Sequence, residues 1–287
     1  MSTRITYFGA AGYEILGPTH RILIDPFLSE NPRAPVSPDE LEAPDVILVS
    51  HAAFDHYGDT AAIAARTGAP VLCDAAVRAM LLDEGLPSEQ VQATTWGIVT
   101  EMAGLVVRPV ECHHWSSGTL SDGTSVVGNP MAFIVELEPG VRIYHYGDTC
   151  VFDMRLIGEL YRPTVGLLGC TVPRELLVRV PGPGNFLTGE MDADEAARTA
   201  EMLGLKIAVA CHYLEIDSEV RRFLELVRRD HLRPERAECV RPLAERELVL
   251  LELDVARRDV VEDRPAEDGV EGRVRVEPLR TAADHHR

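Results

Sequence analysis

Lysine is almost absent: Lys206 is the only one in 287 residues. It opens a strand-like run, and Schiff-base chemistry would have to rest on it alone, so that class of mechanism is set aside. Basic residues as a group are scarce, 28 Lys and Arg against 46 Asp and Glu, for a formal charge of −18. A field of that sign repels phosphate backbones, and nucleic acid is not an expected partner. Paired cysteine motifs are missing too. Cys73, Cys112, Cys150, Cys170, Cys211 and Cys239 show no C-x-x-C spacing, which fits reduced, buried thiols better than a disulfide framework or a structural zinc site. No apolar run approaches a membrane span, and the first eight residues lack the cationic start, apolar core and cleavage site of a secretory leader. The expectation is a cytoplasmic protein with no membrane partner.

What is present is enough apolar material, 46% of residues, for a large core. Short strands with tight turns are predicted over residues 4–8, 13–16, 21–24 and 46–49, the third ending on Asp25-Pro26-Phe27. Helices are predicted over 59–66 and 74–83, each followed by a glycine, with a strand at 70–73 between them. Strands return over 99–149, then a strand at 165–168, a helix at 192–203 with Asp192 as N-cap, and a strand at 206–211. Such a β-then-α order, given twice, suits an α+β fold: an αββα sandwich of two packed sheets with outer helices. One domain is expected over 1–254. Residues 255–287 are read as a charged, mostly mobile C-terminal tail, in which 270–276 alternates well enough for a short edge strand.

Four of the apolar runs end on residues that bind metals. The run 45–50 delivers His51, Asp55 and His56; 105–110 delivers His113-His114; 141–146 delivers Asp148; 206–211 delivers His212. Imidazole and carboxylate suit a Zn²⁺-like ion, and strand ends hold them on a rigid frame while leaving room for a substrate. Cys112, Cys150 and Cys211 sit within two residues of these positions and are weighed as further ligands. Asp25 is read as an acceptor holding the ligand loops, and His145 as a packing or supporting histidine.

These residues resemble the metallo-β-lactamase superfamily, whose members carry H-x-H-x-D-H after a strand, then a lone His, a bridging Asp and a last His. The resemblance spans roughly residues 6–213 and includes Ile24-Asp25-Pro26-Phe27, Ser50-His51, Asp55-His56, Tyr144-His145-Tyr146-Gly147-Asp148-Thr149 and Cys211-His212-Tyr213. It is similar to the branch of metal-dependent hydrolases near ascorbate-6-phosphate lactonase, where Leu156-Ile157-Gly158-Glu159 and Asn185-Phe186-Leu187-Thr188-Gly189 have counterparts. His114-Trp115-Ser116 resembles the His-Trp stretch of N-acylphosphatidylethanolamine-hydrolysing phospholipase D relatives. The resemblance implies the metallo-β-lactamase fold and a hydrolase using a metal-bound hydroxide on a small-molecule ester, lactone or phosphoester.

One departure matters: Ala53 stands where the family's second histidine belongs. By the family pattern, one site takes Asp55, His56, Asp148 and His212. The other keeps His51, Asp148 and a residue of the tandem pair, His114 or alternatively His113. One tightly held Zn²⁺ and a second weak or absent ion are expected, with Mn²⁺ or Fe²⁺ as alternatives. Asp55 and Asp148 carry the catalytic expectation, and Trp115 and Tyr213 that of substrate binding. The competing readings are a phosphodiesterase or nuclease of the same fold, an iron oxidoreductase variant, and a non-catalytic scaffold left by the loss at Ala53. Homo-oligomerisation is left open.

Overall fold

Alternation along the N-terminal strands sends side chains to two different cores. The structure, a computed structural model, describes residues 3–171, 173, 176, 179, 188–231, 252–254 and 273–275. Its first half comprises β1 (Thr3–Gly9), β2 (Gly12–Leu16), β3 (Arg21–Ile24), β4 (Val46–Leu48), α1 (Phe54–Tyr57), α2 (Thr60–Thr67), β5 (Val71–Cys73), α3 (Ala75–Asp83) and β6 (Val91–Ala93). Then come β7 (Thr100–Met102), β8 (Leu105–Val110), β9 (Ser116–Thr119), β10 (Ser125–Gly128), β11 (Ala132–Glu138), β12 (Val141–His145), α4 (Arg155–Tyr161), β13 (Val165–Gly169), α5 (Ala193–Leu203), β14 (Ile207–Cys211) and α6 (Ser218–His231). Two further strands, β15 (Glu252–Asp254) and β16 (Arg273–Arg275), close the described set.

Two mixed sheets result, ordered β15-β16-β1-β2-β3-β4-β5-β6 and β14-β13-β12-β11-β8-β7. Ile22, Ile24, Val46 and Leu48 face one core, shared with Phe133, Ile143 and Leu167 of the second sheet. Leu23, Ile47 and Val71 point the other way, onto Ile63 of α2 and Val77 and Leu81 of α3. Ala193, Ala196, Ala200 and Leu203 of α5 close the outside of the second sheet, with α6 packed beside it. This is the αββα sandwich that the sequence predicts, and its strand ends converge along one edge.

Local signals explain the element boundaries. Asp192 accepts from Glu195 N at 2.9 Å while Glu195 returns to Asp192 N at 3.1 Å, a capping box at the start of α5. Asp74 caps α3 through Val77 N at 2.8 Å. Asp59 precedes α2 but does not cap it: its carboxylate accepts from Leu28 N and Ser29 N at 2.7 and 2.9 Å, tying down the segment after β3.

Within 99–149, where strands are expected, the stretch 115–128 contains an antiparallel ribbon of β9 and β10. It rests against α3, and a Cβ at Gly128 would stand 2.1 Å from Asp74 Oδ2. Three residues of the expected tail form β16, which pairs in parallel with β1, and β15 lies outside it at the sheet edge. The rest of 255–287 lies outside the described residues, as do Cys239 and Asn185, Phe186 and Leu187. Among the described residues, no helix is long and apolar enough to cross a membrane.

Candidate metal centre

The loops after β3 and β4 build the first half of the site. Asp25, fully buried just past β3, accepts from the Ser50 backbone N–H and from the Ser50 hydroxyl, each at 2.7 Å. With its one proton directed at Asp25, that hydroxyl accepts from His51 Nδ1, 3.0 Å away. His56 Nδ1 lies 2.7 Å from Asp25 Oδ2, an acceptor, so it too carries its proton on Nδ1. In both rings Nε2 is therefore the nitrogen left to take a second proton or a metal ion. His56 reaches this position from α1, which also carries Asp55.

The second sheet supplies the opposing groups. Asp148 follows β12 and His212 follows β14, both in left-handed backbone with φ of 63° and 58°. Nε2 of His51, His56 and His212 approaches Asp148 Oδ2 at 3.8, 2.9 and 3.4 Å, and His212 Nε2 also lies 3.4 Å from Asp55 Oδ2. All three Nε2 atoms and Asp148 Oδ1 are buried without a hydrogen-bond partner. An uncompensated buried cluster of this kind is costly unless a cation fills it. For a tetrahedral ion with bonds of 2.0–2.1 Å, ligand atoms stand about 3.3 Å apart, within the observed span. Three groups could hold an ion: His51, His56 and Asp148; Asp55, His56 and His212; and Asp148, Glu190 and His212.

The electrostatics agree with a cation site. Burial opposes ionisation of Asp148, yet His212 and His56 outweigh it and hold the carboxyl well below its usual range. Asp55 is lowered in the same way against burial, by His212 and His56. Burial likewise disfavours charge on His56 and His212, but Asp148 with Asp25, and Asp148 with Glu190, hold both imidazoles well above their usual value. His51 is pushed down by burial and by its neighbours His56 and His114.

Of the tandem pair, His114 is the residue at the site. Its ring stands 4.8 Å from that of His51, edge-on, and it lines the cavity. His113 turns away to Glu111 at 2.8 Å and stacks on Phe152. Trp115 stacks on His114 at 4.6 Å and also lines the cavity. Tyr213 does not: its ring packs on Tyr7 at 5.3 Å and its carbonyl accepts the Tyr7 hydroxyl, so the substrate-binding expectation does not hold for it. Cys112 donates to Gly147 O, and neither it, Cys150 nor Cys211 belongs to a candidate ligand group. His145 Nε2 sits 3.2 Å from Ala11 O and 3.8 Å from Asp25 Oδ2, behind the ligand loops.

Glu190 was not anticipated. It is buried, lies in contact with His212 Nδ1 at 2.5 Å and accepts from the Tyr146 hydroxyl. Burial pushes its carboxyl up to about 7, with Asp148 adding to the rise and His212 opposing it. It ends no strand, and the only sequence signal near it is the preceding Thr188-Gly189 stretch.

The cavity at these residues has a volume of about 680 Å³. Its lining includes the polar Asp55, His114, Asp148, Glu190 and His212 and the apolar Phe27, Phe54, Met80, Trp115, Val126 and Leu176.

Comparison with known proteins gives the same family by independent routes. The profile described as beta-lactamase superfamily domain matches residues 20–213. A UPF0173 metal-dependent hydrolase of Rubrobacter xylanophilus is 37% identical over 214 residues, covering 74% of this chain and 81% of its own length. The corresponding protein of Thermococcus onnurineus is 40% identical over 211 residues, covering 73% and 84%. Among solved structures, Igni18, a novel metallo hydrolase from Ignicoccus hospitalis, matches with a TM-score of 0.63 at 25% identity, over 81% of this chain and 93% of that one. The chain therefore belongs to the beta-lactamase superfamily, within the metal-dependent hydrolases designated UPF0173.

Proposed function

We propose that this hydrolase acts on a small ester or lactone, with one divalent ion held tightly by Asp55, His56, Asp148 and His212. The observation that carries the reading is the convergence of three imidazole Nε2 atoms on Asp148 beside a cavity of about 680 Å³, a volume suited to a small molecule. Zn²⁺ is the first candidate, with Mn²⁺ or Fe²⁺ as alternatives on the same donor set. A second, weaker position uses His51, His114 and Asp148, since Ala53 on the cavity wall offers no ligand. When bound, such an ion lowers the pKa of a coordinated water toward about 7 and polarises the oxygen under attack.

The chain's own groups do the rest. Asp148 anchors the site from below, joined to three histidines at once. Asp55, on the cavity wall, orients the attacking water. Trp115, stacked on His114, offers a flat apolar face for the body of the substrate. Among the described lining residues the one cationic side chain, Arg179, is paired with Glu30 and lies 3.9 Å over the Phe54 ring. That wall favours an uncharged acyl substrate over a phosphoester.

Two measurements test this together. Elemental mass spectrometry of protein purified without chelator is expected to give at least one ion per chain. A panel of aryl esters, lactones and aryl phosphates is expected to show turnover of the acyl compounds first. Turnover of the phosphates alone would move the substrate class, and a chain that takes up no metal even on addition would sink the whole reading.

A further inference from the structure

We propose that Glu190 is a positioning residue that prepares His212 to hold the metal, an inference that rests on the metal-dependent reading above. Each histidine at Asp148 has an oxygen close to its Nδ1: the Ser50 hydroxyl at 3.0 Å from both His51 and His56, Asp25 at 2.7 Å from His56, and the Glu190 carboxylate at 2.5 Å from His212. The Glu190 carboxylate stands behind the ring on the Nδ1 side, and Nε2 on the other side faces Asp55 and Asp148, each 3.4 Å away.

The second oxygen of Glu190 is taken by the hydroxyl of Tyr146, a fully buried residue two positions before Asp148. Tyr146, Glu190 and His212 thus form a chain that ties the end of β12 to the end of β14. Both oxygens of Glu190 are engaged on the side of the imidazole away from Asp55, which argues for support rather than direct ligation. Carboxylates placed behind a ligating histidine fix its tautomer and ring orientation, and their removal costs about 10–100-fold in metal affinity.

The test is chelator competition for Zn²⁺ on the full-length protein, beside the thermal midpoint of the metal-free form. Glu190→Gln keeps the shape and the partner of Tyr146 but removes the charge behind Nδ1. Zn²⁺ affinity is expected to fall about 10–100-fold, with a metal-free midpoint no lower than that of the parent chain, because a buried acid has become a neutral amide. A lowered midpoint with unchanged affinity would make Glu190 structural and overturn the proposal. Should Glu190→Gln not fold, Glu190→Asp carries the same test, since withdrawing the carboxylate by one methylene lengthens the contact. Equal Zn²⁺ affinity in it and the parent again overturns the role. If the parent chain itself binds no Zn²⁺, the metal reading fails first, an outcome distinct from equal binding by both.

Discussion

Asp148 Oδ2 is the atom on which three histidines from two sheets meet, so its loss acts on all of them. Asp148→Ala is expected to release the tightly held ion and abolish hydrolysis. Metal content by elemental mass spectrometry checks it, and a stoichiometry equal to the parent's would contradict the assignment. Ala53 is the converse case, since it lies on the cavity wall at the N-cap of α1 with no ligand atom to offer. Ala53→His is expected to raise occupancy of the second position toward one ion, read by titration of metal-depleted protein. Legibility at this scale followed position in the chain. His51, His56, Asp148 and His212 each follow an apolar run, and that is where the structure puts them. Glu190 follows no such run and is one of 46 acidic residues, so nothing marked it. Tyr213 was drawn in by adjacency to His212, but its ring packs on Tyr7 instead.

Elements tell a similar story about what short-range signals convey. Asp192 was readable as the N-cap of a helix, to which the structure adds the return bond from Glu195, and Asp192→Ala is expected to cost about 1 kcal/mol. In a chain of this size that lowers the thermal midpoint by roughly 2–4 °C, measurable by calorimetry on the metal-free protein. Gly158 in α4 is a case where local propensity and packing oppose each other. In an isolated helix Gly→Ala gains about 1 kcal/mol. Here a Cβ would stand 2.7 Å from Met202 O and 2.9 Å from Leu203 Cα, backbone atoms at the end of α5 that cannot turn aside. Gly158→Ala is therefore expected to destabilise by about 1–3 kcal/mol, and a raised midpoint would show that α4 and α5 can move apart. That β9 and β10 form a ribbon of their own, within the stretch expected as strands, was not marked for a related reason. Ser116-Ser117-Gly118-Thr119 has neither apolar alternation nor β-propensity, and its pairing depends on support from α3.

Across the whole molecule, the site joins the two halves of the sandwich. His51, Asp55 and His56 come from the first sheet's edge, and His114, Asp148 and His212 from the second's. An ion held there stabilises the docked pair by mass action, by about 2.7 kcal/mol at a free concentration one hundred times its dissociation constant. Stripping with chelator is expected to lower the thermal midpoint by roughly 5–10 °C, and readdition to restore it. A midpoint indifferent to metal would mean that the sheets hold together without it. The sandwich itself was legible because buried strands and glycine-stopped helices alternate twice. The place of β16 beside β1 was not, since a three-residue strand far along the chain leaves no local trace of its partner. Asp25, Asp148 and His212 are three of the six non-glycine residues with left-handed backbone among the described residues. Each such residue costs about 1 kcal/mol or more relative to glycine. Strain gathered at three residues of one site is kept for where their side chains point, not for durability, so an aspartate or histidine held in left-handed backbone at 25, 148 and 212 of a relative would mark the same site retained.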